Sequence, residues 1–255
     1  MSAGLPLRGR TAIVTGAGRN IGRAIVLNLA RQGANVVING HRDAAALDAV
    51  AAEARALGAE AMTSLTDVGD AAAVKAMVDA SVARFGAVDI AVSNVAVRLH
   101  QPFLEISLGD WARVLDTNLN AAFYLARACL PHMMARRWGR IIHMSGRDGF
   151  FPKANRAHNV TCKAGSFALA KAIAVEFGGH GITANAIAPG IIETSRDPAH
   201  YPDAGAGFEA RRQAMPVQRL GHVDDIAGAC SYLCSEAGGY VTGQVLHVNG
   251  GEFMF

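Results

Sequence analysis

Short apolar runs rich in β-branched residues alternate with longer stretches of helical period from one end of the chain to the other. This is the pattern of repeated βα units feeding a parallel sheet. The spacing predicts strands at residues 11–14, 35–39, 61–65, 90–93, 140–144, 183–187 and 245–248. Between them the period predicts helices over 21–31, 44–56, 71–85, 110–134, 156–177 and 223–236, each long enough to cross over and cover a sheet face. The expected fold is α/β, a single-domain doubly wound parallel sheet of seven strands, Rossmann-like, with helices on both faces and spanning residues 1–255. One stretch, 194–215, has no period and is broken by Pro198 and Pro202. A loop of that length in a compact domain reads as a flexible substrate loop or lid; the alternative is a surface excursion without a role.

Composition narrows the class. Of the 255 residues 51% are apolar and 18% charged, which excludes disorder, collagen and coiled coil. The 24 Lys and Arg against 21 Asp and Glu give a net charge of +3, scattered rather than gathered, so nucleic acid is not an expected partner. Cys129, Cys162, Cys230 and Cys234 lack the paired spacing of a zinc site and read as reduced, packed thiols, with no metal expected. No apolar run approaches the roughly 20 residues of a bilayer span and no leader-like segment opens the chain, so no membrane partner and a cytoplasmic location are expected.

The first candidate chemistry follows the first strand. In TGAGRNIGRAIV, Thr15, Gly16, Gly18, Arg19, Asn20, Ile21 and Gly22 join a strand to an amphipathic helix. Glycines there let backbone approach a pyrophosphate, whose charge faces the free amides of the helix N-terminus. At the end of the second strand, Asn39-Gly40-His41-Arg42 offers no carboxylate for the adenine ribose. With Arg19 and Arg42 nearby, the electrostatics favour NADP(H) over NAD(H); the alternative leaves His41 and Arg42 as ordinary solvated residues. Asp67-Val68, past the third strand, is placed to hold the adenine edge.

These residues resemble the short-chain dehydrogenase/reductase family over nearly the whole chain, and within it the 3-oxoacyl-ACP-reductase-like members. The glycine pattern is matched by Thr15, Gly16 and Gly22, with Asn20 in place of the middle glycine; Asn also tolerates positive φ. Ser93-Asn94-Val95-Ala96 is similar to the family's NNAG, and Asn118 in DTNLNAAF falls at its structural and catalytic asparagine. In APGIIET, Pro189, Gly190, Ile192 and Thr194 match the segment that holds the nicotinamide carboxamide, and residues 219–251 match the last helix and strand. The resemblance implies a lysine at Lys163, which holds the nicotinamide ribose. It also puts Asn159 at the family's tyrosine and Gly146 at its serine, and no tyrosine lies between Gly146 and Lys163.

Carbonyl reduction needs a titratable proton donor, and an amide is not one, although Asn159 can polarise a carbonyl by donating a hydrogen bond. His158 is the leading substitute, because Ser145 to His158 repeats the family's thirteen-residue interval shifted by one. One helical residue is a rotation of about 100°, so His158 reaches the cleft only if the helix start is kinked; otherwise it is structural. Arg147, Asp148, Lys153 and Arg156 either bind an anionic substrate or form a solvated loop.

Three functions remain open: an NADP(H)-dependent oxidoreductase with an atypical site and a small-molecule substrate; a non-redox enzyme using His158, Ser145 or Asp148; and a catalytically silent nucleotide-binding subunit. The helices predicted at 110–134 and 156–177 carry apolar residues on more than one face, and the family resemblance implies that they pair copies into a homotetramer or homodimer.

Overall fold

The computed structural model describes residues 5–195 and 208–254. Its strands are β1 (Thr11–Val14), β2 (Asn35–Gly40), β3 (Ala61–Leu65), β4 (Ile90–Ser93), β5 (Gly139–Met144), β6 (Ile182–Pro189) and β7 (Val245–Val248). They form one sheet in the order β3-β2-β1-β4-β5-β6-β7, every pairing parallel. Strands buried on both faces are apolar at nearly every position, and alternation sorts them into two cores. Ala12, Val14, Val36, Ile38 and Ile142 pack on one face with α1 (Asn20–Arg31), α2 (Ala44–Ala56) and α8 (Val223–Cys234). Their neighbours Ile13, Val37, Ala91 and Ile141 face α3 (Ala71–Phe85), α5 (Ala121–Arg136) and α6 (Ala157–Phe177) on the other.

The helix predicted over 110–134 is not one regular element. The hydroxyl of Ser107 accepts the Asp110 amide at 2.9 Å and starts α4 (Leu108–Leu115); a π turn follows at Asp116–Asn120 before α5. The wider turn sets Asn118 inward. The 194–215 stretch is likewise not wholly a loop: Phe208–Ala214 is helical (α7), while Pro198 and Pro202 lie outside the described residues.

Chain order runs β1, β2, β3 to one side and then returns to β4 on the other, so the carboxyl ends of β1 and β4 border the crevice where open α/β sheets bind ligands.

At the sheet centre, His143 of β5 lies between Ser93 and Ala186 of the adjacent strands. It is fully buried and neither ring nitrogen has a hydrogen-bond partner among the described residues. Burial lowers its pKa from 6.5 to about 4. Above pH 6.5 both folded and unfolded chains hold it neutral; below, the unfolded chain gains a proton that the folded one refuses, so stability is lost between pH 6.5 and about 4. The linkage amounts to about 3 kcal/mol. Thermal melts of native and His143→Leu protein from pH 7 to pH 4 should show the variant losing less stability, by about this amount at the acid end.

Candidate functional site

The turn after β1 is built from sequence-local strain and one long-range staple. Gly16 has φ +61°, and a Cβ at Gly22 would lie 2.3 Å from the Gly16 carbonyl oxygen, so neither position accepts a side chain without displacement. Asn20, at the family's middle glycine, takes φ +51°. Asn94 at the end of β4 donates through Nδ2 to the carbonyls of Thr15 (3.0 Å) and Gly16 (3.1 Å). Its backbone N–H donates to Thr15 Oγ1 at 2.9 Å. The start of α1 is thereby fixed beside the end of β4, and the first amides of a helix are groups that can receive a phosphate. Ser195 donates its N–H and hydroxyl to Asn20 Oδ1 at 3.0 and 2.9 Å, and Asn20 Nδ2 donates back to the Ser195 carbonyl at 3.0 Å.

β6 delivers Pro189 and Gly190 to the same end of the sheet. The Gly190 N–H donates to Val248 at 3.0 Å, and a Cβ there would come within 2.7 Å of Asn249 Cα. Ile192 is buried and bridges Gly221, and Thr194 follows at the cleft edge. Beyond β2, Asn39 is buried and spends Nδ2 on the carbonyls of Ser64 (3.2 Å) and Thr66 (3.1 Å). A Cβ at Gly40 would meet Leu47 at 2.9 Å, which disfavours any side chain there. Exposed His41 stands 3.7 Å from the Asp67 carboxylate, whose other oxygen accepts the Gly69 amide at 2.9 Å, next to buried Val68. Arg19 and Arg42 are exposed and have no ion pair among the described residues. Gly18 leaves room only for contact with Ala46 and Leu47, and Ile21 packs against the core.

The other half of the cleft is formed after β5. Lys163, on α6, is buried and its Nζ donates to the Met144 carbonyl at 2.6 Å. The Ser145 hydroxyl donates to the Lys163 carbonyl at 2.8 Å, tying strand to helix. A Cβ on Gly146 would stand 3.9 Å from Lys163 Cε, an ordinary contact, so a serine there would fit. Asn159, one turn before Lys163 on α6, donates through Nδ2 to Asp148 Oδ2 at 2.9 Å, the oxygen that also accepts Arg156 at 2.9 Å. One N–H of the amide is therefore engaged by Asp148, and Asn159 Oδ1 is buried without a donor among the described residues. Asn159 thus retains one N–H and a buried acceptor, neither of which titrates.

His158 does not join this group. It is fully buried, its Nδ1 accepts the Asn159 backbone amide at 2.8 Å, and Asp110 and Arg113 on α4 act on it electrostatically. Burial lowers its pKa. Asn118 spends both ends of its amide on Val97, accepting its N–H and donating to its carbonyl at 2.7 Å each. That clamp, with the Gln101 N–H on the Asn155 carbonyl at 2.9 Å, suspends Arg98 and His100 beside the cleft. The chain's period marks neither of them; their signal is basic residues just past the strand-four asparagine. Arg98 acts electrostatically on Lys163, and His100 is lowered by burial, then by Arg156, with Asp148 opposing. Arg147 pairs with Glu252 at 3.3 Å, so the C-terminal segment closes on this side. There Phe150 stacks on Phe167 at 4.7 Å and Phe151 contacts Phe253 at 5.1 Å.

Comparison with known proteins agrees with this geometry. The family model described as Enoyl-(Acyl carrier protein) reductase matches residues 16–252. The chain is 36% identical over 245 residues to the 3-oxoacyl-[acyl-carrier-protein] reductase FabG of Staphylococcus aureus strain Mu50, covering 96% of this chain and 98% of the relative. It is also 36% identical over 246 residues to the Escherichia coli K12 protein of the same name, with the same coverage. A putative short-chain alcohol dehydrogenase from Sinorhizobium meliloti 1021 superposes with TM-score 0.92 at 30% identity, covering 98% of both chains. A Serratia marcescens short-chain dehydrogenase/reductase variant does so with TM-score 0.88 at 33% identity, covering 97% of this chain and 99% of that one. A parallel sheet with a glycine turn stapled at its switch point, together with these likenesses along the chain, makes this protein a member of the short-chain dehydrogenase/reductase family, oxidoreductases acting on carbonyl and hydroxyl groups.

Proposed function

We propose that this chain is an NADP(H)-dependent oxidoreductase that interconverts a carbonyl and a hydroxyl on a small molecule without the family's tyrosine. The observation that carries the reading is the asymmetry of the cleft: a glycine turn stapled by Asn94 on one side, and on the other Asn159 bound to Asp148 where a phenol is expected. The residues fit the cofactor. Gly16, Gly18, Asn20, Ile21 and Gly22 would receive the pyrophosphate, and Asp67 and Val68 the adenine. Arg19 and Arg42, with His41, would receive a 2′-phosphate. Asn94, Pro189, Gly190, Ile192 and Thr194 would border the nicotinamide, and Lys163 its ribose. The bound nicotinamide supplies or accepts hydride. The chain's residues orient the reacting oxygen, keep water from it and handle the proton, with Asn118 fixing the wall at Val97.

Relatives named as 3-oxoacyl-[acyl-carrier-protein] reductases make a 3-oxoacyl thioester the first substrate to try. A non-redox reaction draws little support from the site, since the Ser145 hydroxyl is engaged by the Lys163 carbonyl and His158 is fully buried. A silent subunit would bind nucleotide and turn nothing over.

The same reading treats residues 1–255 as one functional unit in the cytoplasm; among the described residues no helix is long and apolar enough to cross a membrane. It also makes the chain a homotetramer or homodimer through α5 and α6, where Phe123 is half-exposed, Val175 is exposed, and Leu130, Met134, Leu169 and Phe177 line a groove.

Mixing the protein with NADPH and a panel of ketones and 3-oxoacyl thioesters should give absorbance loss at 340 nm that a Lys163→Ala control lacks; no loss above the control refutes the redox reading. Calorimetry should show NADPH binding more tightly than NADH, and Arg19→Ala with Arg42→Ala weakening NADPH about tenfold while leaving NADH nearly unchanged. In sedimentation at micromolar concentration the native chain should run as a tetramer or dimer, and Phe123→Glu with Val175→Glu should shift it toward monomer.

A further inference from the structure

Carbonyl reduction draws a proton from a titratable group, and few remain in this cleft. Ser145 gives its hydrogen to the Lys163 carbonyl; Asn159 does not titrate; His158 is fully buried; Asp148 Oδ2 accepts from both Arg156 and Asn159; and His100, after β4, has its pKa lowered by burial and by Arg156. Lys163 stands apart. Its ammonium carries three hydrogens, its one protein partner is the Met144 carbonyl, and it has no carboxylate ion pair among the described residues. Gly146 brings no side chain against its stem, and a Cβ there would stand 3.9 Å from Cε, an ordinary contact.

Resting on the redox reading above, we infer that Lys163 is itself the proton-exchanging group, giving a proton to the substrate oxygen in reduction and removing it in oxidation. In reduction the carbonyl carbon gains hydride from reduced nicotinamide, forming a C–H bond, and the π pair moves to oxygen, which takes a proton from the Lys163 ammonium. The products are the alcohol, oxidised nicotinamide and a neutral amine that regains its proton from water. The charged and titratable groups facing the amine are Arg98 from the segment after β4, Asp148 from the turn after β5 and Cys162 on α6. Burial lowers the Lys163 pKa to about 7, Arg98 adding to the effect and Cys162 and Asp148 opposing it. An amine so poised exchanges protons in both directions near neutral pH.

The chain has only four lysines, Lys75, Lys153, Lys163 and Lys171, which makes the group directly observable. Protein labelled with ¹³C at lysine Cε should show one resonance titrating near pH 7, missing from Lys163→Arg. Arginine keeps the charge but does not release a proton, so Lys163→Arg should bind NADPH by calorimetry within about threefold of native while losing about 100-fold or more in turnover. His100→Gln should leave the neutral limb of the pH–rate profile in place. The inference is overturned if no lysine titrates near neutrality, if Lys163→Arg keeps more than about a tenth of native turnover, or if the limb disappears in His100→Gln. A native chain that binds NADPH but never consumes it refutes the redox reading and this inference together, whereas turnover surviving Lys163→Arg refutes this inference alone.

Discussion

The cofactor side of the cleft depends on the side chain of Asn94. Where β1 hands over to α1, the carbonyls of Thr15 and Gly16 lose their strand partners, and both are taken by one amide from the neighbouring strand. Because β1 and β4 are adjacent where chain order reverses, that staple stands at the mouth of the crevice and fixes the first turn of α1 relative to the sheet. An unpaired buried carbonyl costs about 1–3 kcal/mol, so two such groups resting on a single residue make the turn sensitive to it. The glycines supply the freedom to bend, and Asn94 holds the bend in one shape.

The proton side is organised by a different economy. Asp148 gathers Arg156 and Asn159 onto one oxygen, fixing the start of α6 at the turn after β5. The same contact orients the Asn159 amide, since a carboxylate oxygen meets its N–H rather than its carbonyl. With Ser145 binding strand to helix, the polar atoms around Lys163 hold architecture more than they offer chemistry.

Much of this was legible in the chain. Ile13 between Ala12 and Val14 already carries the two-sided burial of a central parallel strand, which is why the strand positions follow from the pattern to within a residue or two. The π turn is hidden because Leu115 and Leu119 keep a helical spacing straight through it, and the wider turn shows only in the backbone over Asp116–Asn120. Helix α7 was hidden because FEARRQA, after Gly205 and Gly207, carries no apolar stripe. The site divided along the same line. Its backbone-governed half, the glycine turn, was readable from residue types. The other half turns on side-chain direction, and neither the Asn159–Asp148 bond nor the burial of His158 is written in spacing. Arg98 and His100 sit in a segment with no period, placed by distant anchors at Asn118 and Asn155.

The three hydrogen bonds between Asn20 and Ser195 join residues 175 positions apart in the chain. A glycine at position 20 could reach Ser195 only through its backbone, so the substitution adds a side-chain crossbeam. The start of α1 and the segment that leaves β6 are thereby mechanically coupled, so that a shift in either backbone pulls on the other through one short amide.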